Sequence, residues 1–194
     1  TSTGCAFMCK RRRATGTISW ASDASWSRSR DPGNGLPGVA SFLALGPGYY
    51  WHEVFSIDEV DAFRIHHLEM YGAVQNTATF GRLLKEHGVE SMMDDMDNEA
   101  VAHALLGSCP KDPILQELFI YRLELADTFG LICTARHVPG IINVLADLLS
   151  RQRFAEFNAE ARLRGWASPV KLEICQKTRR LLGQQLLQLS REVR

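Results

Sequence analysis

The run His137-Val138-Pro139-Gly140-Ile141-Ile142-Asn143-Val144-Leu145-Ala146-Asp147-Leu148-Leu149-Ser150-Arg151 holds the residue types from which chemistry can be made. The segment reads as a strand end, a Pro-Gly turn and a helix start. Asn143 and Asp147 are four residues apart, so a helix puts them on one face, one turn from each other. His137 stands ten residues before Asp147. Such a cluster can set a carboxylate against a metal ion with an imidazole close by.

The segment resembles the last motif of the ribonuclease H domain that follows reverse transcriptase in retroelements. That family draws carboxylates from four places in the chain, and this sequence has one at each. Asp23 follows a strand-like run in Ile18-Ser19-Trp20-Ala21-Ser22-Asp23-Ala24-Ser25. Glu69 lies in His67-Leu68-Glu69-Met70-Tyr71-Gly72-Ala73. Asp97 opens Asp97-Asn98-Glu99-Ala100, and Asp147 is the fourth. The four patterns span roughly residues 16 to 152. The form ending in Ala-Asp-x-Leu-Ser-Arg is most similar to gypsy-type and DIRS-like elements.

The resemblance implies a metal-dependent endonuclease that hydrolyses the RNA strand of RNA–DNA hybrids during reverse transcription. Two Mg²⁺ (or Mn²⁺) ions are the implied cofactors. Hard cations of this kind demand oxygen ligands, which carboxylates supply together with charge. A pair of such ions about 3.5–4 Å apart assists both the attacking and the departing oxygen of an in-line displacement. By resemblance Asp23 bridges both ions, Glu69 and Asp97 help hold one, and Asp147 holds the other. His137 matches the family histidine associated with proton transfer or product release. Four carboxylates brought together without metal repel one another.

A-form duplex is read through its shape, its backbone and its 2′-hydroxyls. Ser25, Asn98 and Arg151 adjoin the motif residues and are candidate substrate-backbone ligands. Asn143 is a further candidate, for the loop or for the substrate. Trp26 is expected to cover the sheet edge. His66 and His67 are adjacent, so a helix is expected to point them to different faces and make them poor joint metal ligands.

Around these residues the chain reads as one α/β domain. Strands are expected over Thr17–Asp23, Val39–Leu45 and Tyr49–Ser56, joined as an antiparallel meander. The stretch 25–38 is rich in Ser, Arg, Gly and Pro and reads as a long hairpin loop. A long helix is expected from about Val60 or His66 to Glu86, with Gly88 as its stop. A strand over Val89–Met96, a short helix over Asn98–Leu106, a helix over Pro113–Phe129, a strand over Leu131–His137 and a final helix over Asn143 to about Phe157 complete the series. The order βββαβααβα predicts a mixed five-stranded sheet, three antiparallel strands with two parallel additions, flanked by helices. That order resembles the ribonuclease H-like fold. The expected layout is a basic linker over 1–15, the domain over 16–157, and a basic amphipathic helical tail over 158–194.

The 194 residues carry 22 basic and 22 acidic side chains and no net charge, with 45% hydrophobic residues. That composition argues against disorder. The charge is uneven. Residues 31–150 hold 6 basic and 17 acidic residues, whereas both ends are basic. An acidic centre between basic ends suits a metal site flanked by backbone contacts. Cys5, Cys9, Cys109, Cys133 and Cys175 are scattered and odd in number, which favours reduced structural thiols. Cys5 and Cys9 have no second Cys/His pair nearby to complete a zinc site. No apolar run reaches the roughly 18 residues of a membrane span. No signal-peptide pattern is present, and the reading is intracellular. The chain reads as a fragment of a longer polyprotein, with any polymerase domain upstream as its partner.

Two departures motivate alternatives. Asp94 and Asp95 stand where such strands are usually apolar, and Asp95 shares a strand face with Asp97, where its charge would crowd a metal site. There is also no room between Leu106 and Pro113 for the basic helix that cellular ribonucleases H use to hold substrate. The alternatives are a catalytically decayed domain that binds nucleic acid or a polymerase partner, and a nuclease of the same fold acting on DNA.

Overall fold

The computed structural model describes residues 14–22, 38–107 and 110–192. Strand β1 spans Ala14–Ser22, β2 Gly38–Leu43 and β3 Tyr49–Val54. Helix α1 covers Ile57–Ala62 and α2 Ile65–Glu86; β4 is Val89–Met96. Then come α3 (Glu99–Leu105), α4 (Pro113–Phe129), β5 (Ile132–His137), α5 (Val144–Ser150) and α6 (Phe154–Leu163). The tail adds β6 (Val170–Lys171), α7 (Gln176–Arg180), a π-helical stretch Leu181–Leu186, and α8 (Leu187–Glu192).

The strands form one mixed sheet in the order β5-β4-β1-β2-β3-β6. β2 runs antiparallel to both β1 and β3. The β2–β3 connection passes through Gly48 at φ +80°, where a Cβ would also meet the Phe42 ring at 2.9 Å, so glycine is required twice over. β4 lies parallel to β1 and β5 parallel to β4, each reached by a helical crossover.

The sheet has six strands where five were expected. The sixth is two residues of the tail: Val170 N–H donates to Gly48 O at 2.8 Å and Leu172 N–H to Tyr50 O at 2.7 Å. A two-residue strand carries no alternation to read, so nothing in the sequence marks it.

Two further expectations are corrected. The helix before β4 is preceded by a separate short one. Ser56 caps α1 in a capping box with Glu59, and Phe63 turns extended (φ −112°, ψ 147°) before α2 begins. The helix after β5 does not run from Asn143 to Phe157. It stops at Ser150 and restarts at Phe154. Gln152 takes φ 59°, Gln152 N–H donates to Leu149 O and Arg153 N–H to Leu148 O, which is the Schellman pattern. Glutamine in place of the usual glycine hides this stop from a sequence reading.

Helices cover both faces. On one, Val39, Leu43 and Trp51 of the sheet pack with Leu68, Tyr71, Val74, Phe80 and Leu84 of α2, with Leu118 of α4, and with Leu182 and Leu186 of the tail. Gly81 brings the α2 backbone directly against the Phe129 ring at the end of α4. On the other face Ala40 and Phe42 meet Leu145, Leu148 and Leu149 of α5 and Phe157 and Ala161 of α6.

A polar spine crosses the first face. Arg122 of α4 pairs with the fully buried Asp94, Asn76 Nδ2 donates to Asp94 Oδ1 at 3.0 Å, and Trp51 Nε1 donates to Asn76 Oδ1 at 3.0 Å. Burial pushes the Asp94 carboxyl up, while Arg122 and Asn76 pull it back. Removing one partner of such a buried pair typically costs about 3–5 kcal/mol. The spine therefore locks α2 and α4 onto β4, the strand that presents Asp97.

The tail is also held by charge. Arg179 pairs with both Glu53 of β3 and Glu59 of α1, and Tyr71 Oη donates to Glu53 Oε2 at 2.7 Å.

Candidate active site

Asp97 sits just past the end of β4, where the strand stops pairing and α3 begins. The next residue, Asn98, is the N-cap of α3 and accepts from Val101 N–H at 3.1 Å through Oδ1. Its other side-chain atom, Nδ2, donates to Glu69 Oε2. One asparagine thus joins the start of α3 to the middle of α2. Glu69 is 2% exposed, which is rare for an ionisable side chain without polar company.

Asp97 is half-buried, and burial pushes its carboxyl above the ordinary range. The nearby Asp147 carboxylate raises it further, whereas His137 lowers it. Asp97 Oδ1 is buried and accepts no hydrogen bond from the described residues. An anionic oxygen in that position is costly unless a cation or proton meets it.

β5 ends at His137, opposite Met96 on β4, and Val138 N–H donates to Met96 O at 2.6 Å. That bond continues the pairing one step past the strand and brings the Pro139-Gly140 turn over the site. A Cβ on Gly140 would lie 3.9 Å from Asp97 Oδ2. Asn143 N–H then donates to Gly140 O at 3.0 Å, and Asn143 caps α5 as a buried residue. One turn on, Asp147 faces the site, with Arg151 Nε on its Oδ1 at 2.9 Å. The Arg151 side chain is 41% exposed, so its guanidinium stays open to solvent.

Asp97 at the end of β4, Asp147 of α5 and His137 at the end of β5 thus lie close enough to act on one another, and Asn98, the residue after Asp97, ties in Glu69 of α2. Asn98 bonds Glu69 and Arg151 bonds Asp147, and buried Asn143 stands at the N-cap position of α5. Asp23 and Ser25, the two remaining site residues expected from sequence, and Trp26 lie outside the described residues, as do Cys5, Cys9 and Cys109. The donor set is carboxylate oxygen with a marginal imidazole, and one buried carboxylate oxygen has no hydrogen-bond partner among the described residues. Those features fit a hard divalent cation.

A ribonuclease H1 from the halophilic archaeon Halobacterium salinarum NRC-1 aligns with a TM-score of 0.52 at 19% sequence identity, over 74% of this chain and 99% of the archaeal one. The fold is that of ribonuclease H. The N-terminal ribonuclease H domain of rv2228c from Mycobacterium tuberculosis, solved as a fusion with maltose-binding protein, aligns at 18% identity and a TM-score of 0.48, over 76% of this chain and 98% of that one. No protein-family model matches the sequence, and no curated protein does. No helix among the described residues is long and apolar enough to cross a membrane.

Within this ribonuclease H-like frame the extra aspartates are accounted for. Asp94 points into the core against Arg122. Asp95 lies on the opposite face, where Arg136 of β5 holds it through two bonds, Nε to Oδ1 at 2.6 Å and Nη2 to Oδ2 at 2.9 Å. The charges acting on Asp97 are Asp147 and His137. The expected crowding is therefore relieved by a cation that sequence reading missed. Its only signal was register: Arg136 stands opposite Asp95 once β4 and β5 are aligned in parallel.

The expectation for His66 and His67 is also corrected. Their rings lie edge to face with centroids 4.5 Å apart. In the first turn of α2 the His67 ring folds back to accept from Arg64 N–H at 3.3 Å, which turns it toward its neighbour instead of away.

Proposed function

We propose that the chain is a metal-dependent ribonuclease H that hydrolyses the RNA strand of RNA–DNA hybrids. The observation that carries this reading is Asp97 set against Asp147 and His137, with Glu69 tied to the adjacent Asn98 and the buried Asp97 Oδ1 without a hydrogen-bond partner among the described residues. By the motif resemblance Asp23 would be the fourth member of the set; β1, which precedes it in sequence, pairs in parallel with β4. The group would hold two Mg²⁺ or Mn²⁺ ions, which when bound supply Lewis acidity to an in-line displacement at phosphorus.

The chain's own residues do the rest. Asp97, Glu69 and Asp147 bind the cations, and Asn98 fixes the Glu69 carboxylate. His137 is exposed and close enough to act on Asp97, and in this reading it would move a proton at the departing oxygen. The open guanidinium of Arg151 offers a backbone phosphate a ligand, and Asn98 and, by its motif position, Ser25 would be further backbone ligands. Asn143 acts by shaping the turn. The motif resemblance favours a retroelement reverse transcriptase as its setting, in which a polymerase domain of the same polyprotein would be its partner, within the cell.

Both aspartates that motivate a decayed domain have cationic partners of their own, which favours the active reading. The deciding experiment incubates the chain with labelled RNA–DNA hybrid, single-stranded RNA and duplex DNA in Mg²⁺, Mn²⁺ or EDTA. Metal-dependent loss of the hybrid's RNA strand alone is expected, and Asp97→Asn abolishes it. Hybrid binding without cleavage under either metal would move the assignment to the decayed domain; cleavage of duplex DNA would move it to a deoxyribonuclease.

A further inference from the structure

A second group of metal-ligating side chains lies outside the carboxylate centre. His66 and His67 open α2, and Asp112 is the N-cap of α4. One ligand atom from each lies within 4.8 Å of the others. His67 Nε2 and Asp112 Oδ2 are 3.1 Å apart, and the His67 side chain is 5% exposed. Two ligands on one tetrahedral zinc ion, at bond lengths near 2.0–2.2 Å, stand about 3.3–3.5 Å apart. The pair is thus already close to the spacing that a shared ion would set.

We propose that His66, His67 and Asp112 bind one transition-metal ion of the zinc class, clamping the start of α2 to the start of α4. Asp112 Oδ1 is occupied by Ile114 N–H at 2.9 Å and Leu115 N–H at 3.2 Å, which fixes the carboxylate and leaves Oδ2 for the ion. In the metal-free protein His67 Nδ1 accepts from Arg64 N–H, so the ring proton sits on Nε2 and is donated to Asp112. Metal takes that proton's place, and the proton moves to Nδ1. The sacrifice is one long capping bond of 3.3 Å at the helix start, beside the exposed Arg64.

The surroundings select the kind of ion. Two helix N-termini and Arg64 present partial or full positive charge here. A cation held by charge alone, such as Mg²⁺ or Ca²⁺, is therefore disfavoured. An ion held by imidazole nitrogen is not, and two imidazoles with one carboxylate suit zinc with a fourth, open position. His67 precedes Glu69 by two residues, so the clamp would stiffen the turn that carries Glu69. The proposal does not rest on the nuclease reading.

The test is zinc titration of the full chain by calorimetry, in excess Mg²⁺ and with cysteines alkylated, alongside Co²⁺ titration followed by visible absorption. One equivalent of zinc and a tetrahedral Co²⁺ spectrum are expected. His66→Ala and Asp112→Asn each weaken binding at least tenfold; Asp112→Asn keeps an oxygen for the α4 cap, so its fold is checked by circular dichroism. A Glu69→Gln/Asp97→Asn/Asp147→Asn variant retains the zinc site. Absence of zinc binding, binding unchanged by His66→Ala and Asp112→Asn, or binding lost with the carboxylate variant would each overturn the proposal.

Discussion

Asn98→Ala removes two bonds that the fold assigns to one side chain. Its Oδ1 caps α3 through Val101 N–H at 3.1 Å. Losing such a cap typically costs about 1 kcal/mol. Its Nδ2 donates to Glu69 Oε2, on a residue only 2% exposed. A hydrogen bond to a charged group is worth about 1.5–3 kcal/mol. The two together predict a loss of about 3 kcal/mol in metal-free protein. For a chain of this size that is a fall in Tm of roughly 6–12 °C. Asn98→Ser separates the terms: the hydroxyl still caps α3 but is too short to reach Glu69, so about 2 kcal/mol is lost. Asn98→Asp also keeps the cap, and its charge suits a helix N-terminus. It aims a second carboxylate at Glu69, however, so it is destabilised in EDTA and recovers when Mg²⁺ is added. Urea denaturation of the three variants, followed by circular dichroism in EDTA and in Mg²⁺, measures all of this. A loss under about 0.5 kcal/mol for Asn98→Ala, the size of an ordinary surface substitution, would refute the bridge. Equal losses for Ser and Ala would refute the cap's share.

Two predictions concern pH. Glu53 is buried beneath the tail, and burial pushes its carboxyl up to about 7 against Tyr71 and Arg179, which act to lower it. Its folded value exceeds its unfolded one, so the folded state holds the proton more tightly. The associated stability, about 3 kcal/mol, is present below the unfolded value of about 4.5 and is lost as pH rises through 7. Glu53→Gln should flatten that slope in denaturation curves between pH 5 and 8; an unchanged slope would show that another group titrates. Asp97 is likewise raised, first by burial and then by Asp147, so metal-free protein loses its contribution as pH rises. Mg²⁺ binds the deprotonated form and should raise Tm more at pH 8 than at pH 5, with the difference reduced in Asp97→Asn; an equal rise at both pH values would place the ion elsewhere.

What the sequence made legible depended on local punctuation. α4 was readable to the residue because Asp112, Pro113 and Gly130 mark a cap, a first turn and a left-handed stop at φ 67°. β4 was readable because its hydrophobic run begins at Gly88, itself at φ 68°. The stop at Gln152 was not, because the usual glycine is missing. β6 was not, because it exists only through two bonds to a distant strand. The same division holds in the site. Motif patterns pointed to candidate carboxylates one by one. The bonds between them, Asn98 to Glu69 and Arg136 to Asp95, join residues 29 and 41 positions apart and appear only once the chain is folded.

Asp94, Asp95 and Asp97 show how a strand sorts three similar charges. Alternation sends Asp94 and Asp95 to opposite faces. On the first face Asp94 meets Arg122 and Asn76 and becomes part of the core. On the second Asp95 meets Arg136, whose guanidinium is half exposed, and becomes a surface pair. Asp97 shares the face of Asp95 but lies past the last paired residue, so no neighbouring strand supplies it with a cation. Instead it faces Asp147, another anion, across the Pro139-Gly140 turn. Three aspartates in four positions thus end with two neutralised by arginine and one kept short of positive charge. A fold that needed only solubility or core packing would have no reason to maintain the third. The proposed site, which must attract a divalent cation, would have such a reason, and the two arginines keep the surplus charge of its neighbours from reaching it.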